Sequence, residues 1–192
     1  MATQAHEIAW DSSVMMARQR ALRDGKVLLI YFTAAPKCQP CVEFEDATLH
    51  TEDVVRFIDK YFVPVKLDFL AETQAAGQFD VRSTPTLLVL DEQQQVQHRI
   101  EGKTDPHELL GQLSLGLGKL WLDNEWFEKS RTRLDKVIEH HGGSEVAAEA
   151  EYWREIGIKR QDDSRVEEAI KESFPASDPP SWNLGRDHDT GG

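Results

Sequence analysis

Val27-Leu28-Leu29-Ile30-Tyr31-Phe32, then a short loop through Pro36 and Lys37, then Cys38-Gln39-Pro40-Cys41-Val42-Glu43-Phe44-Glu45: this stretch decides the fold. The apolar run reads as a strand buried on both faces, and the residues after Cys41 carry helical spacing. The order is therefore strand, loop, helix, with the cysteine pair at the helix's first turn. Cys38 and Cys41 are the only cysteines in the chain. A helix start offers unpaired N–H groups and the positive end of the dipole, both of which favour a thiolate. Their spacing puts both sulfurs on one helix face, close enough to form a disulfide, and Pro40 suits an early helical position. The dipole contributes only about 0.3–1 kcal/mol, so a second donor to Cys38 is needed, and the Cys41 thiol is the first candidate. The alternatives are a structural disulfide and half of a zinc site. A four-residue loop gains little as a staple, and the chain holds no second pair to complete a zinc site.

The 192 residues, 40 % hydrophobic, suffice for one ordinary domain and an appendage. A net charge of −12 argues against nucleic acid and anionic membrane as partners. The first residues show neither a basic nor an apolar signal region, and no apolar run is long enough to span a membrane. A lone cysteine pair in such a chain points to the cytoplasm and a catalytic dithiol.

Ser12 or Ser13 is expected to cap a helix ending at Asp24-Gly25. The cysteine helix should run to Leu49, with a short helix after Thr51. Strands are expected over residues 62–68, 86–90 and 96–100, with Pro64 demoting the start of the first toward an edge or bulge and residues 91–95 making a hairpin loop. Asp105-Pro106 opens a further helix.

This β-α-β half followed by β-β-α, built around a dithiol, resembles the thioredoxin superfamily over residues 8–115. Cys-x-Pro-Cys follows a buried strand as in that family, with Gln39 in place of the usual Gly and Lys37 in place of the usual Trp. Val81-Arg82-Ser83-Thr84-Pro85-Thr86 matches the segment whose proline is cis and faces the dithiol. Lys66-Leu67-Asp68 and Gly102 also fall where the family has similar residues. Residues 43–65 look closer to the γ domain of transmembrane thiol reductases and to thioredoxin-like proteins with an N-terminal helix. The resemblance implies an α/β fold with a four- or five-stranded mixed sheet and flanking helices. It also implies attack by Cys38 on protein disulfides, resolution by Cys41, and a substrate groove at Thr84, Pro85 and Gly102. Lys37, Gln39, Pro40 and Lys66 would modulate the pair, and no metal or organic cofactor is implied. One departure stands out. The family's buried strand acid is missing, since residues 27–37 contain no carboxylate and the ungapped match is Phe32. On that match, Phe32→Asp should speed release of mixed disulfides if the fold tolerates it.

Beyond residue 115, Leu117-Gly118, Trp121, Phe127, Ser130, Leu134 and Val137 resemble a tetratricopeptide helix pair over 116–161, with a second start at Trp153. These helices either form a repeat-like module or simply cap the first domain. Residues 162–192 read as a flexible tail, apart from a short helix at 166–172. The tail carries Phe174 and Trp182 in a stretch resembling a segment found in small bacterial proteins, and is either a linear docking motif or inert. The rival to an oxidoreductase is an adaptor that binds a protein partner through the helices or tail.

Overall fold

The apolar run does become the centre of the sheet. In the computed structural model, which describes residues 7–173, β1 (Val27–Thr33) lies between β2 (Phe62–Asp68), parallel to it, and β3 (Thr86–Leu90), antiparallel. β4 (Val96–Glu101) pairs antiparallel with β3, giving the order β2-β1-β3-β4. Alternate β1 side chains enter two different cores, which is why the run is apolar throughout. Leu29 and Tyr31 pack with Phe44, Val54, Ile58, Leu109 and Leu113. Leu28, Ile30 and Phe32 pack with Ala17, Ala21, Ala76 and Phe79. Pro64 lies in β2, an edge strand of this sheet, where Asp11 bridges to the outer side.

The helices follow their local signals. α1 (Val14–Asp24) is capped by Ser13, whose hydroxyl accepts from the Met16 N–H, and ends at Gly25 with φ 62°. α2 (Gln39–Phe44) runs into a π-helical turn, Glu45–Leu49, and α3 (Glu52–Tyr61) and α4 (Thr73–Gln78) follow. α1 and α4 cover one face of the sheet, and α2, α3 and α5 (Pro106–Asp123) the other.

α5 runs straight through the boundary expected at residue 115. Its Leu109, Leu113, Leu117 and Trp121 belong to the core under the sheet, whereas Leu115 faces α6 (Phe127–His140) and α7 (Glu145–Ser173). The helix is apolar on both sides, so nothing in the backbone stops it at the boundary. A Cβ added to Gly118 would lie 2.5 Å from Leu134 Cδ2, so the glycine sets how closely α5 and α6 approach. The Ser130 hydroxyl donates to the Gly118 carbonyl at 2.7 Å. Arg133 of α6 places its guanidinium 4.5 Å from the Tyr61 ring and 5.3 Å from that of Trp121, clamping the extension to α3 and α5.

α7 continues as helix through residues 162–173, which takes in the short helix expected at 166–172, and it meets the body through Arg160–Asp123 and Gln161–Glu128. Extending an existing helix needs no new nucleus, and Arg, Glu and Ala are good helix formers. Phe174 and Trp182 lie outside the described residues.

A polar strut joins sheet and extension. Buried His98 on β4 has Nε2 2.7 Å from Gln112 Oε1 and Nδ1 3.4 Å from Lys119 Nζ, which in turn reaches Glu149 Oε1 at 3.1 Å. Neutral His98 satisfies both contacts by donating to Gln112 and accepting from Lys119. Burial, and then the Lys119 charge, push its pKa below the usual 6.5. The unfolded chain therefore takes up this proton first. The stability that neutral His98 contributes is present above about pH 6.5 and is lost as pH falls through the lowered value. Urea unfolding at pH 7.5 and pH 5.5 should show this loss in the wild type and a smaller one in His98→Gln. Equal losses in both would remove His98 as the cause.

Candidate active site

β1 ends at Thr33, and the loop after it, which contains a cis Ala35-Pro36 bond, delivers Cys38 to the N-cap of α2. Cys38 and Cys41 are joined as a disulfide with Cα atoms 5.2 Å apart. Cys41 is wholly buried and Cys38 half-buried, an asymmetry set by one turn of helix. Cys38 Sγ accepts from the Cys41 backbone N–H at 3.2 Å and from the Thr84 hydroxyl at 3.5 Å. These two donors, in addition to the helix dipole, would stabilise negative charge on Cys38 once the pair is reduced. The sequence suggested only the Cys41 thiol.

Thr84-Pro85 is cis, and the Thr84 carbonyl oxygen lies 3.6 Å from Cys38 Sγ. The Pro85 carbonyl accepts from the Gly102 N–H at 2.9 Å, and Gly102 adopts φ 80°, a conformation suited to glycine. Thr84, Pro85 and Gly102 are therefore linked at one edge of the cysteine pair. Lys37, Gln39 and Pro40 are exposed around it. Gln39 donates to Glu43, which is also paired with Lys103. Lys103, and then Gln39, hold the Glu43 carboxyl below the usual range.

The Lys66 ammonium lies 2.7 Å from Glu45 Oε2, while Glu45 Oε1 accepts from the Tyr31 and Thr33 hydroxyls at 3.2 and 3.0 Å. Burial pushes the Tyr31 phenol above its usual range. Register pairs Tyr31 with Lys66, and Tyr31 shares a core with Phe44 of α2. The β1 position facing the cysteine helix is thus Tyr31. Phe32 points into the opposite layer, against Phe79, which corrects the ungapped match. A strand's side chains alternate, so an offset of one residue changes the face. Glu45 was missed by the sequence reading; its only signal was its place one helical turn beyond Cys41. Among the described residues, no group of three His, Cys, Asp or Glu side chains is arranged to hold a metal ion. No helix there is long and apolar enough to cross a membrane.

A cysteine pair at a helix start, beside a cis-proline loop on a β2-β1-β3-β4 sheet, defines a thiol–disulfide protein of thioredoxin-like architecture. The chain belongs to the thioredoxin-like domain family, whose model matches residues 14–116. A putative disulphide-isomerase from Bacteroides thetaiotaomicron is similar at 27 % identity and TM-score 0.53, over 60 % of this chain and 97 % of that one. The DsbH oxidoreductase shares the fold at 18 % identity and TM-score 0.54, over 61 % of this chain and 91 % of that one. A thioredoxin from Thermus thermophilus does so at 21 % and 0.51, over 56 % and 85 %. No curated protein sequence matches significantly.

Proposed function

We propose that the protein is a disulfide reductase acting on other proteins in the cytoplasm, with Cys38 as attacking sulfur and Cys41 as resolving sulfur. The observation that carries this is the half-buried Cys38 beside the Thr84 carbonyl, with Cys41 wholly buried behind it. The Cys38 thiolate attacks a substrate disulfide, forming a mixed disulfide and releasing one substrate thiolate, which takes a proton from water. Cys41 loses its proton and attacks Cys38 Sγ. The second substrate thiolate leaves and is protonated, two electrons having passed from the dithiol to the substrate. An extended substrate segment would lie along Thr84, Pro85 and Gly102, with Lys37, Gln39 and Pro40 at its rim. A reducing compartment keeps the pair in the donating state.

Insulin reduction with an external dithiol tests this. Wild type should accelerate precipitation of the insulin B chain, and Cys38→Ser should fall to the uncatalysed rate. Acceleration retained in Cys38→Ser would reject the assignment. A second reading, an adaptor binding a partner through the helices, draws on the exposed Tyr152, Ile158 and Val166 along α7. It predicts a partner retained equally by the wild type and by a variant lacking both cysteines.

A further inference from the structure

We infer that Glu45 takes up the proton of Cys41 during resolution, supplying from the helix the acid–base group that the strand does not. The inference rests on the reductase reading above. Four observations carry it. Glu45 follows Cys41 by one turn, its N–H bonded to the Cys41 carbonyl, which puts both positions on one helix face. Its carboxylate is only 18 % exposed and is held in place by three donors, on Tyr31, Thr33 and Lys66. Thr33 also accepts from the Ala35 N–H, tying this cluster to the loop that carries Cys38. Finally, a cavity of about 110 Å³ borders Glu45 and Lys66 and is lined further by Ile8, Trp10 and His50. That volume has room for water, which would give a proton received by the carboxylate an exit away from Thr84 and Pro85.

The step balances. In the mixed disulfide, the Cys41 thiol passes its proton to the Glu45 carboxylate. The Cys41 thiolate attacks Cys38 Sγ, and the Cys38–substrate bond breaks. The substrate leaves as a thiolate and is protonated by solvent, while Glu45 returns its proton to solvent through the cavity. The charged and titratable groups around Glu45 are Tyr31 on β1, Lys66 on β2, His50 beyond the π-helical turn, and Glu7 in the N-terminal segment. Lys66 acts here as a positioning residue, holding the carboxylate rather than touching sulfur.

The test uses the reduced full-length chain and an aromatic disulfide whose two thiolates are coloured. The first thiolate appears when Cys38 attacks and the second when Cys41 resolves, so the two steps are read separately. Glu45→Gln should leave the first phase unchanged and slow the second at least tenfold at pH 7. The slowed phase should then quicken as pH rises toward the thiol's own ionisation, and Glu45→Asp should recover part of the rate. General structural damage would slow both phases. If Glu45→Gln does not fold, Glu45→Gln/Lys66→Gln, which leaves no unpaired ammonium, takes its place with the same expectation. A second phase unchanged in rate and pH profile overturns the role of Glu45. A wild type with no second phase overturns the reductase reading itself.

Discussion

Cys41→Ser is expected to turn the protein into a trap that keeps its partners bound through Cys38. Attack needs only the half-buried Cys38 sulfur, which the substitution leaves in place. In the proposed reaction, release comes from a sulfur three residues away in the chain. Well-oriented intramolecular groups act at effective concentrations up to about 10⁵–10⁸ M. Even a value far below that range leaves a millimolar external thiol slower by roughly a thousandfold or more. Serine oxygen does not replace the thiolate. Partners captured from cells should therefore be recovered from Cys41→Ser on reduction, and not from Cys38→Ser or the double variant. Equal recovery from the two single variants would reverse or erase the assigned roles.

Phe32→Asp has the next largest expected effect, and it is one of stability. Phe32 is fully buried and packs edge-on against Phe79, with ring centroids 6.4 Å apart. Losing such a ring costs about 3–5 kcal/mol, and a carboxyl in its place meets an apolar layer with no partner. Native stabilities are only about 5–15 kcal/mol. A fall in melting temperature of roughly 10 °C or more follows for a chain of this size. Because the side chain faces away from α2, release of mixed disulfides should not speed up. A stable variant with faster release would show that Phe32 does communicate with Cys41 after all.

That reversal marks where the sequence stopped being legible. The strand, the cysteine helix, the Ser13 and Asp105 caps and the cis bond at Pro85 are written in local signals: an apolar run, capping residues, a proline at a fixed distance from a strand. The environment of Cys41 is not local. The Glu45–Lys66 pair is 21 residues apart in the chain, and it exists because the sheet register places Tyr31 opposite Lys66. A loop of uncertain length before Cys38 hides which β1 residue faces the helix. The division drawn at residue 115 falls inside α5 for a related reason. Helical periodicity reveals one buried stripe, but Leu115 and Leu117 serve different partners on opposite sides of the same rod.

That rod has a consequence for how the molecule can be taken apart. At about 1.5 Å per residue, the 18 residues of α5 span about 27 Å. A cut at residue 115 would strip Leu117 and Trp121 from the core under the sheet and leave Leu115 bare. A cut after Asp123 would keep the sheet's cover and expose the apolar side that Leu134 and Val137 now shield. Neither piece is a finished surface. The last two helices therefore behave less like a passenger fused to a redox domain than like a splint on a beam both share.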